Sequence, residues 1–177
     1  MNSKNPIIIS GGGVFYSEAM DELGTFAAKH NIPVTQTVMG YSTMKKDHSH
    51  FLGPIGGLGG KAANNFAKQT DLAIAIGTKL GDFTTGSWAN FENPDFSLVS
   101  INVARFDANK HMAQSVIGDA KVSLTELSQI LGDWKAPEDW YKKSRDELKS
   151  WNEYIDKESG PTNQEVPSYA HAEGAIY

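Results

Sequence analysis

The sequence predicts an α/β fold: a doubly wound, mainly parallel sheet of about six strands with helices on both faces. Short apolar segments rich in β-branched residues alternate along the chain with amphipathic segments of helical length. Several apolar segments run into glycine or small polar residues, as the strands of an open parallel sheet do at their carboxyl ends. The connections are mostly short, which suits strand–helix–strand units with right-handed crossovers.

The first predicted unit is a strand, a helix and a second strand. PIIISGGG is a buried strand that runs into a glycine turn, and SEAMDELGTFAAKHN is a helix with Ser17 as its expected N-cap. IPVTQTVMG is the second strand. Residues 41–60 are rich in glycine and are predicted to form a loop.

Three further apolar segments lie close together in the second half of the chain. Each has the length and the β-branched content of a buried strand. Their sequences are DLAIAIG, SLVSINV and SVIGDA. The segment KAANNFAKQT is a short helix before the first of them, and Asp119 is the expected N-cap of a helix, VSLTELSQILG, after the third.

The composition changes at Lys135, where a highly charged segment begins. Its apolar residues fall near one face of a helix: Trp140, Leu148, Trp151 and Ile155. The final segment predicts a linker and the opening of a helix that is cut off, as expected for a domain excised from a longer polypeptide. The predicted organisation is a Rossmann-like central domain at 1–134, a charged amphipathic helix and linker at 135–160, and a linker with the truncated start of the next domain at 161–177.

Composition narrows the possible functions. The 177 residues are 40% hydrophobic and 21% charged, which is typical of a globular chain, and the net charge of -5 without a basic stripe argues against nucleic acid as a partner. The chain has no cysteine, so it has neither disulfides nor a thiolate metal site. The apolar runs are too short to span a membrane, and the start lacks a signal-peptide core. We expect a cytoplasmic protein.

Two glycine-rich segments are similar to known nucleotide-binding motifs but depart from them. Gly11–Gly13 opens a G-x-G-x-x-G pattern, but Tyr16 stands at the third glycine and the second strand lacks the acidic residue that binds ribose. Gly56–Lys61 is similar to a P-loop, but Ile55 and Ala62 replace its first glycine and its Ser/Thr. A standard NAD site and a phosphoryl-transfer loop are therefore not predicted. A tight turn or a weaker anion site after the first strand both stay open.

The histidines do not form a recognisable metal motif. His48 and His50 have an i,i+2 spacing that suits neither a helical metal pair nor a zinc motif without thiolates. We expect both on the surface, together with His30 and His111. No Ser-His-Asp arrangement stands out either.

A resemblance to a known family is carried by six segments in order: PIIISGGG, IPVTQT, GPIGGLGG, DLAIAIGTKLGDFTTGSW, SINVARFDANKH and VIGDAKVSLTEL. Together they resemble the central domain of thiamine-diphosphate-dependent enzymes, over about Asn5 to Trp140. The two segments GTKLGDFTTGSW and SINVARFDANKH are most similar to the branch of that superfamily that hydrolyses a cyclic trihydroxy-1,2-dione in myo-inositol catabolism.

The resemblance implies a full-length enzyme that uses thiamine diphosphate and Mg²⁺ to open the dione ring by C–C cleavage to 5-deoxyglucuronate. In such enzymes the activating glutamate and the metal-binding GDG…N motif lie in the other two domains. Gly118-Asp119-Ala120 is not that motif, because alanine replaces its second glycine. This chain is then a middle domain without catalytic residues. Its expected partners are the missing flanking domains of the same polypeptide, and the full-length protein is expected to be a homo-oligomer.

In some members of the superfamily the central domain holds FAD or ADP, which implies a nucleotide shelf here. The matching cofactor-binding positions are Gly11, Gly12, Gly13, Gly77, Thr78, Lys79, Asn102, Val103, Gly118 and Asp119. FAD-binding members usually carry Arg-Phe-Asp where residues 79–83 read KLGDF. Two alternatives therefore stand beside the middle-domain reading: an FAD- or ADP-binding regulatory domain, and a non-catalytic scaffold between subunits.

Overall fold

The fold is a six-stranded sheet in the order β3-β2-β1-β4-β5-β6, in which all neighbouring strands are parallel. It is seen in a computed structural model that describes residues 2–176. The strands are β1 (Pro6–Ser10), β2 (Val34–Gln36), β3 (Phe51–Pro54), β4 (Leu72–Ile76), β5 (Ser97–Asn102) and β6 (Gln114–Ile117). The predicted α/β class and strand number are confirmed. All strands end on the same edge of the sheet, which we call the carboxyl edge.

Helices connect the strands and cover both faces of the sheet. They are α1 (Gly12–Tyr16), α2 (Met20–His30), α3 (Lys61–Ala67), α4 (Asp82–Thr85), α5 (Arg105–Ala108), α6 (Ala120–Leu131), α7 (Glu138–Glu158) and α8 (Tyr169–Gly174), with 3₁₀ helices at Val38–Gly40 and Lys110–Met112. Within residues 2–176, none of these helices combines the length and the apolar content needed to cross a membrane.

Alternating side chains of the central strand β1 enter two separate cores. Ile8 lies in a core with residues of α2 and α6, whereas Ile7 and Ile9 lie in a second core with residues of α3 and α7. All three isoleucines are completely buried. A strand that is apolar at successive positions is typical of a parallel sheet with both faces covered, and this confirms the predicted layers.

The charged helix α7 packs directly on this sheet. The ring of Trp140 is 5% exposed, lies 3.9 Å from the ring of Phe66, and its Nε1 donates a hydrogen bond to the carbonyl of Pro6 at 2.8 Å. Leu148 and Trp151 are partly buried along the same side, whereas the outer face is exposed. The predicted boundary between residues 134 and 135 stays a prediction, but the helix beyond it contributes to the core.

Two strand predictions were wrong in part. β3 lies inside the segment 41–60 predicted as a loop, because its four residues, FLGP, are too short and too rich in glycine and proline to show an apolar pattern. β2 ends at Gln36, and the rest of the predicted strand turns into the 3₁₀ helix Val38–Gly40. The Thr37 hydroxyl accepts a hydrogen bond from the Gly40 amide at 3.0 Å and stabilises that turn.

The last strand was predicted to be buried, and this was wrong. All four residues of β6 are exposed. The strand order explains this, because β6 pairs with β5 alone and forms one border of the sheet. Its β-branched composition fits a strand but does not reveal its position in the sheet.

The predicted first helix is interrupted. Helix α1 starts directly in the glycine turn, and the chain leaves helical geometry at Glu18, which has a φ of 52°. Helix α2 begins at Met20 with Ala19 at the N-cap position. Ser17 is therefore not the N-cap of this helix, and the prediction was wrong. Its hydroxyl instead forms hydrogen bonds at the start of α6.

Two of the four histidines predicted on the surface are buried. His30 is completely inaccessible and His50 is 7% exposed, so the predictions for both were wrong. The His30 ring bridges the Trp134 carbonyl, at 2.7 Å, and the Ser128 hydroxyl, at 3.1 Å, so its polar atoms are satisfied inside the fold. His111 is exposed, as predicted.

Candidate functional site at the carboxyl edge

The fold gathers all ten predicted cofactor-binding residues on the carboxyl edge. Gly11–Gly13 follow β1, Gly77–Lys79 follow β4, Asn102–Val103 end β5 and begin the next turn, and Gly118–Asp119 follow β6. β1 and β4 are neighbours at the point where the strand order reverses. Ligands of open α/β sheets bind at such a switch point, which makes this edge the candidate site.

The glycine turn after β1 is packed tightly against the end of β4. The Gly11 amide donates to the Ile76 carbonyl and the Gly13 amide to the Gly77 carbonyl, both at 2.9 Å. A Cβ atom on Gly13 would lie 2.6 Å from Gly77 Cα, and Gly77 itself has a φ of 61°, which favours glycine. These glycines therefore allow close backbone packing, and two of the amides that a phosphate would need are already paired.

Asn102 ties the ends of β4 and β5 together. Its Nδ2 donates to the Thr78 carbonyl at 3.2 Å, and its Oδ1 accepts from the Ala104 amide at 2.9 Å. Its carbonyl accepts from the Gly118 amide at 3.2 Å. The polar groups of this side chain thus hold the two strand ends in place. The neighbouring Val103 is 71% exposed and faces solvent.

Asp119 is the N-cap of α6, as predicted. Its Oδ1 accepts hydrogen bonds from the amides of Lys121, at 2.9 Å, and Val122, at 3.2 Å. Its Oδ2 accepts a short hydrogen bond from the Ser17 hydroxyl. The Ser17 hydrogen bond and the amide of Val122 lower the pKa of this exposed carboxyl below its ordinary value. The residue thus has a clear structural role that links α6 to the break between α1 and α2.

The described residues do not fit a metal-bound diphosphate. Mg²⁺ is held in proteins by carboxylates together with substrate phosphates. No grouping of three or more His, Asp or Glu side chains within residues 2–176 could hold a metal ion. Over the same residues, the one buried side-chain atom without a hydrogen-bond partner is Glu22 Oε2, which lies in α2. Within the described residues, the carboxyl edge therefore has neither such a metal-binding group nor a buried side-chain atom that lacks a hydrogen-bond partner.

The described structure also has concave sites away from the carboxyl edge. A cavity of about 830 Å³ lies at the opposite edge, where β4, β5 and β6 begin, and it includes Asp71, Asn93 and Gln114. A cavity of about 560 Å³ lies between α3 and α7, with Lys61 and Trp151 among its lining residues. Neither cavity is lined by any of the ten predicted residues.

One property of the carboxyl edge was missed in the sequence: it carries large exposed apolar side chains. They follow five of the six strands: Phe15, Tyr16, Val38, Met39, Tyr41, Leu58, Phe83, Val103 and Phe106. Each is at least 52% exposed. The signal was the occurrence of aromatic and apolar residues in the turns directly after strand ends, where polar residues are the norm. We call these nine side chains the apolar edge surface.

The chain is similar to proteins named 3D-(3,5/4)-trihydroxycyclohexane-1,2-dione hydrolase. It is 49% identical to that of Clostridium perfringens (strain 13 / Type A) over 131 residues, which are 74% of this chain and 20% of the relative. It is 43% identical to that of Clostridium botulinum (strain Eklund 17B / Type B) over 160 residues, which are 88% of this chain and 24% of the relative. It is 36% identical to that of Geobacillus thermodenitrificans (strain NG80-2) over 188 aligned residues, which cover 98% of this chain and 29% of the relative.

The chain thus spans only 20–29% of the length of these curated relatives. A family model described as "Thiamine pyrophosphate enzyme, central domain" matches residues 1–127. This range contains all six strands and the ten residues gathered on the carboxyl edge. Sequence similarity and the doubly wound parallel sheet agree, and the chain belongs to the family of thiamine pyrophosphate enzyme central domains.

Proposed function

We propose that this chain is the middle domain of a thiamine-diphosphate-dependent hydrolase that opens a cyclic trihydroxy-1,2-dione by C–C cleavage in myo-inositol catabolism. The observation that carries the proposal is the match to relatives named as hydrolases of this trihydroxycyclohexane-1,2-dione, at 36–49% identity over 74–98% of the chain. The family of central domains to which the chain belongs supports the dependence on thiamine diphosphate.

In this proposal the domain contributes no catalytic residue. Thiamine diphosphate, when bound, supplies the electron sink for breaking a bond next to a carbonyl. Residues 2–176 contain no cluster that could hold its metal ion, and the polar groups of Asn102 and Asp119 are engaged within the domain. We therefore assign the binding of thiamine diphosphate and Mg²⁺ to the rest of the polypeptide, whose domains are the partners of this one in a homo-oligomeric enzyme.

The test compares the full-length polypeptide with residues 1–177. Hydrolysis of the dione is followed with thiamine diphosphate and Mg²⁺ added together or withheld singly. We expect turnover by the full-length protein when both are present, and neither turnover nor saturable calorimetric binding of the cofactor by residues 1–177. A full-length protein that cleaves another substrate of thiamine-diphosphate-dependent enzymes, but does not hydrolyse the dione, would contradict the proposed substrate. Tight binding of the cofactor by residues 1–177 would contradict the non-catalytic role.

A second candidate function is the binding of FAD or ADP at the carboxyl edge. The observation that favours it is the position of the turn after β1 at the switch point, with the exposed Lys79 ammonium on the adjacent strand end. A thermal-shift screen of residues 1–177 tests it, because a ligand at a hundredfold its dissociation constant adds about 2.7 kcal/mol of stability. A shift that Lys79→Ala reduces would support nucleotide binding. The absence of any shift would leave a structural spacer.

A further inference from the structure

The two edges of the sheet differ in chemical character. The apolar edge surface comes from the connections after β1, β2, β3, β4 and β5, with exposed fractions from 52% for Phe15 to 80% for Tyr16. The connections at the opposite edge are mainly polar, as in residues 2–5 (NSKN), 68–71 (KQTD) and 93–95 (NPD). Other exposed apolar side chains, such as Met112 and Ile130, lie elsewhere, but nine are concentrated at the carboxyl edge.

The apolar edge surface is wide as well as apolar. Its side chains follow the strands from β3 to β5, which are four spacings of about 4.8 Å apart, so it extends over roughly 19 Å. Groups of large exposed apolar side chains are typical of sites of protein–protein contact. The distribution over the ends of five strands favours a broad protein surface as the occupant over a small ligand, which binds in a concave pocket.

Backbone contacts join the segments that carry the side chains of this surface. The Gly57 amide donates to the Phe83 carbonyl at 2.7 Å, which connects the loop after β3 to helix α4. A Cβ atom on Gly12 would lie 3.0 Å from the Met39 carbonyl oxygen, so α1 and the 3₁₀ helix Val38–Gly40 are in close contact. These contacts reduce the ordering of loops that docking onto this surface requires.

We propose that the apolar edge surface is the docking face for the domains that flank this one in the same polypeptide. This inference rests on the proposed function, in which the chain is a middle domain. The matched relatives have 71–80% of their length outside the matched part, so such a domain has covalently attached neighbours. Attachment gives them an effective concentration in the millimolar range, which favours them over a second copy of the domain.

Methionine oxidation tests the proposal without an activity assay. Met39 belongs to the apolar edge surface and is 74% exposed, whereas Met112, in the 3₁₀ helix before β6, is 100% exposed and serves as the matched control. Dilute peroxide should oxidise both residues at similar rates in residues 1–177. In the full-length polypeptide, Met39 should be oxidised at least tenfold more slowly while Met112 keeps its rate. Unchanged rates, or equal protection of both methionines, would overturn the proposal.

The same assay distinguishes other occupants of the surface. Protection of Met39 in residues 1–177 that increases with protein concentration would identify a second copy and overturn the proposal. Protection of Met39 by ADP or FAD alone would identify a nucleotide and overturn it too. Because the assay needs no substrate, it separates this proposal from the proposed function. Protection of Met39 in a full-length polypeptide that does not hydrolyse the dione would support the docking face and contradict the proposed function. Hydrolysis of the dione with unprotected Met39 would contradict the docking face and support the proposed function.

A pair of substitutions adds a structural control. Phe83 is 73% exposed on the apolar edge surface, and Ile130 is 80% exposed near the end of α6. Phe83→Asp and Ile130→Asp should both leave the melting temperature of residues 1–177 nearly unchanged. In the full-length polypeptide, Phe83→Asp should restore rapid oxidation of Met39, because an unpaired charge is costly in an apolar interface. Rapid oxidation in the Ile130→Asp protein, or persistent protection in Phe83→Asp, would contradict the assignment.

Discussion

Gly13 and Gly77 approach each other so closely that a Cβ atom on Gly13 would lie 2.6 Å from Gly77 Cα. The first glycine follows β1 and the second follows β4, the two central strands of the sheet. The hydrogen bond from the Gly13 amide to the Gly77 carbonyl, at 2.9 Å, fixes the same pair of turns. The geometry of the carboxyl edge therefore depends on the absence of side chains at these two positions.

Substitution Gly13→Ala should lower the free energy of unfolding of residues 1–177 by about 2 kcal/mol. The added methyl group would overlap the backbone of Gly77, and overpacking of this kind costs roughly 1–3 kcal/mol. Gly57→Ala is the control, since the nearest atom to its Cβ would be 3.8 Å away. Chemical denaturation of the three proteins measures the difference. A stable Gly13→Ala protein would show that the turn has more freedom than the contact indicates.

Trp140 should contribute to stability through its ring and, separately, through its indole N–H. Trp140→Phe removes the hydrogen bond from Nε1 to the Pro6 carbonyl and should cost about 1 kcal/mol. Trp140→Ala also leaves a cavity beside Phe66 and should cost roughly 3–5 kcal/mol. Urea denaturation followed by far-UV circular dichroism measures both. Similar small losses for the two variants would mean that α7 does not belong to the cooperative core.

His50 should make the fold sensitive to mild acid. Burial, together with the positive charges of His48 and Arg145, lowers the pKa of His50 from 6.5 to about 4. Its ring stacks on Tyr141 at 4.5 Å, and its Nε2 lies 3.3 Å from Asn31 Oδ1. The folded state keeps the neutral ring, whereas the unfolded chain takes up a proton below pH 6.5. Stability from this residue is therefore complete above pH 6.5 and is lost as the pH falls to 4.

The measurement is the free energy of unfolding between pH 7 and pH 4 for the wild type and for His50→Gln. The variant should lose less stability than the wild type over this range. The lowered pKa of Asp119 acts in the same direction but only as the pH falls through its ordinary value of 3.8 and below, so the two effects are separable. Parallel curves for the wild type and His50→Gln would refute the prediction.

Asp119→Ala should weaken the start of α6. Loss of the acceptor for the amides of Lys121 and Val122 removes an N-cap, which costs about 1 kcal/mol. Asp119→Asn retains a capping oxygen and should recover most of the loss. Hydrogen exchange of the first-turn amides of α6 measures the effect directly. Equal exchange rates in the Ala variant and the wild type would show that the cap is dispensable.

Much of the fold follows from the sequence because the strongest strands are also the most buried. The apolar runs that become β1, β4 and β5 were located by their composition and by the residues that end them. The charged helix α7 was located by the spacing of Trp140 and Leu148. Asp119 was located as an N-cap because its side chain acts on amides two and three residues away, which is a local interaction.

The failures share a dependence on distant residues. β3 is a strand because it pairs with β2, although its own four residues have weak strand propensity. His50 is buried because α7, far along the chain, places Tyr141 against it. The pairing of the Gly11 and Gly13 amides with the end of β4 likewise depends on strand order. Such contacts have no signature in a local window of sequence.

The position of β1 between β2 and β4 has a consequence for the synthesis of the protein. One side of β1 pairs with β2, where Ile8 faces Val34. The other side pairs with β4, where Pro6 faces Leu72. While β4 is still inside the ribosome during synthesis, one side of the apolar strand β1 has no partner strand. Such unpaired edges are prone to aggregation. The N-terminal half should therefore depend on chaperone protection until the second half emerges.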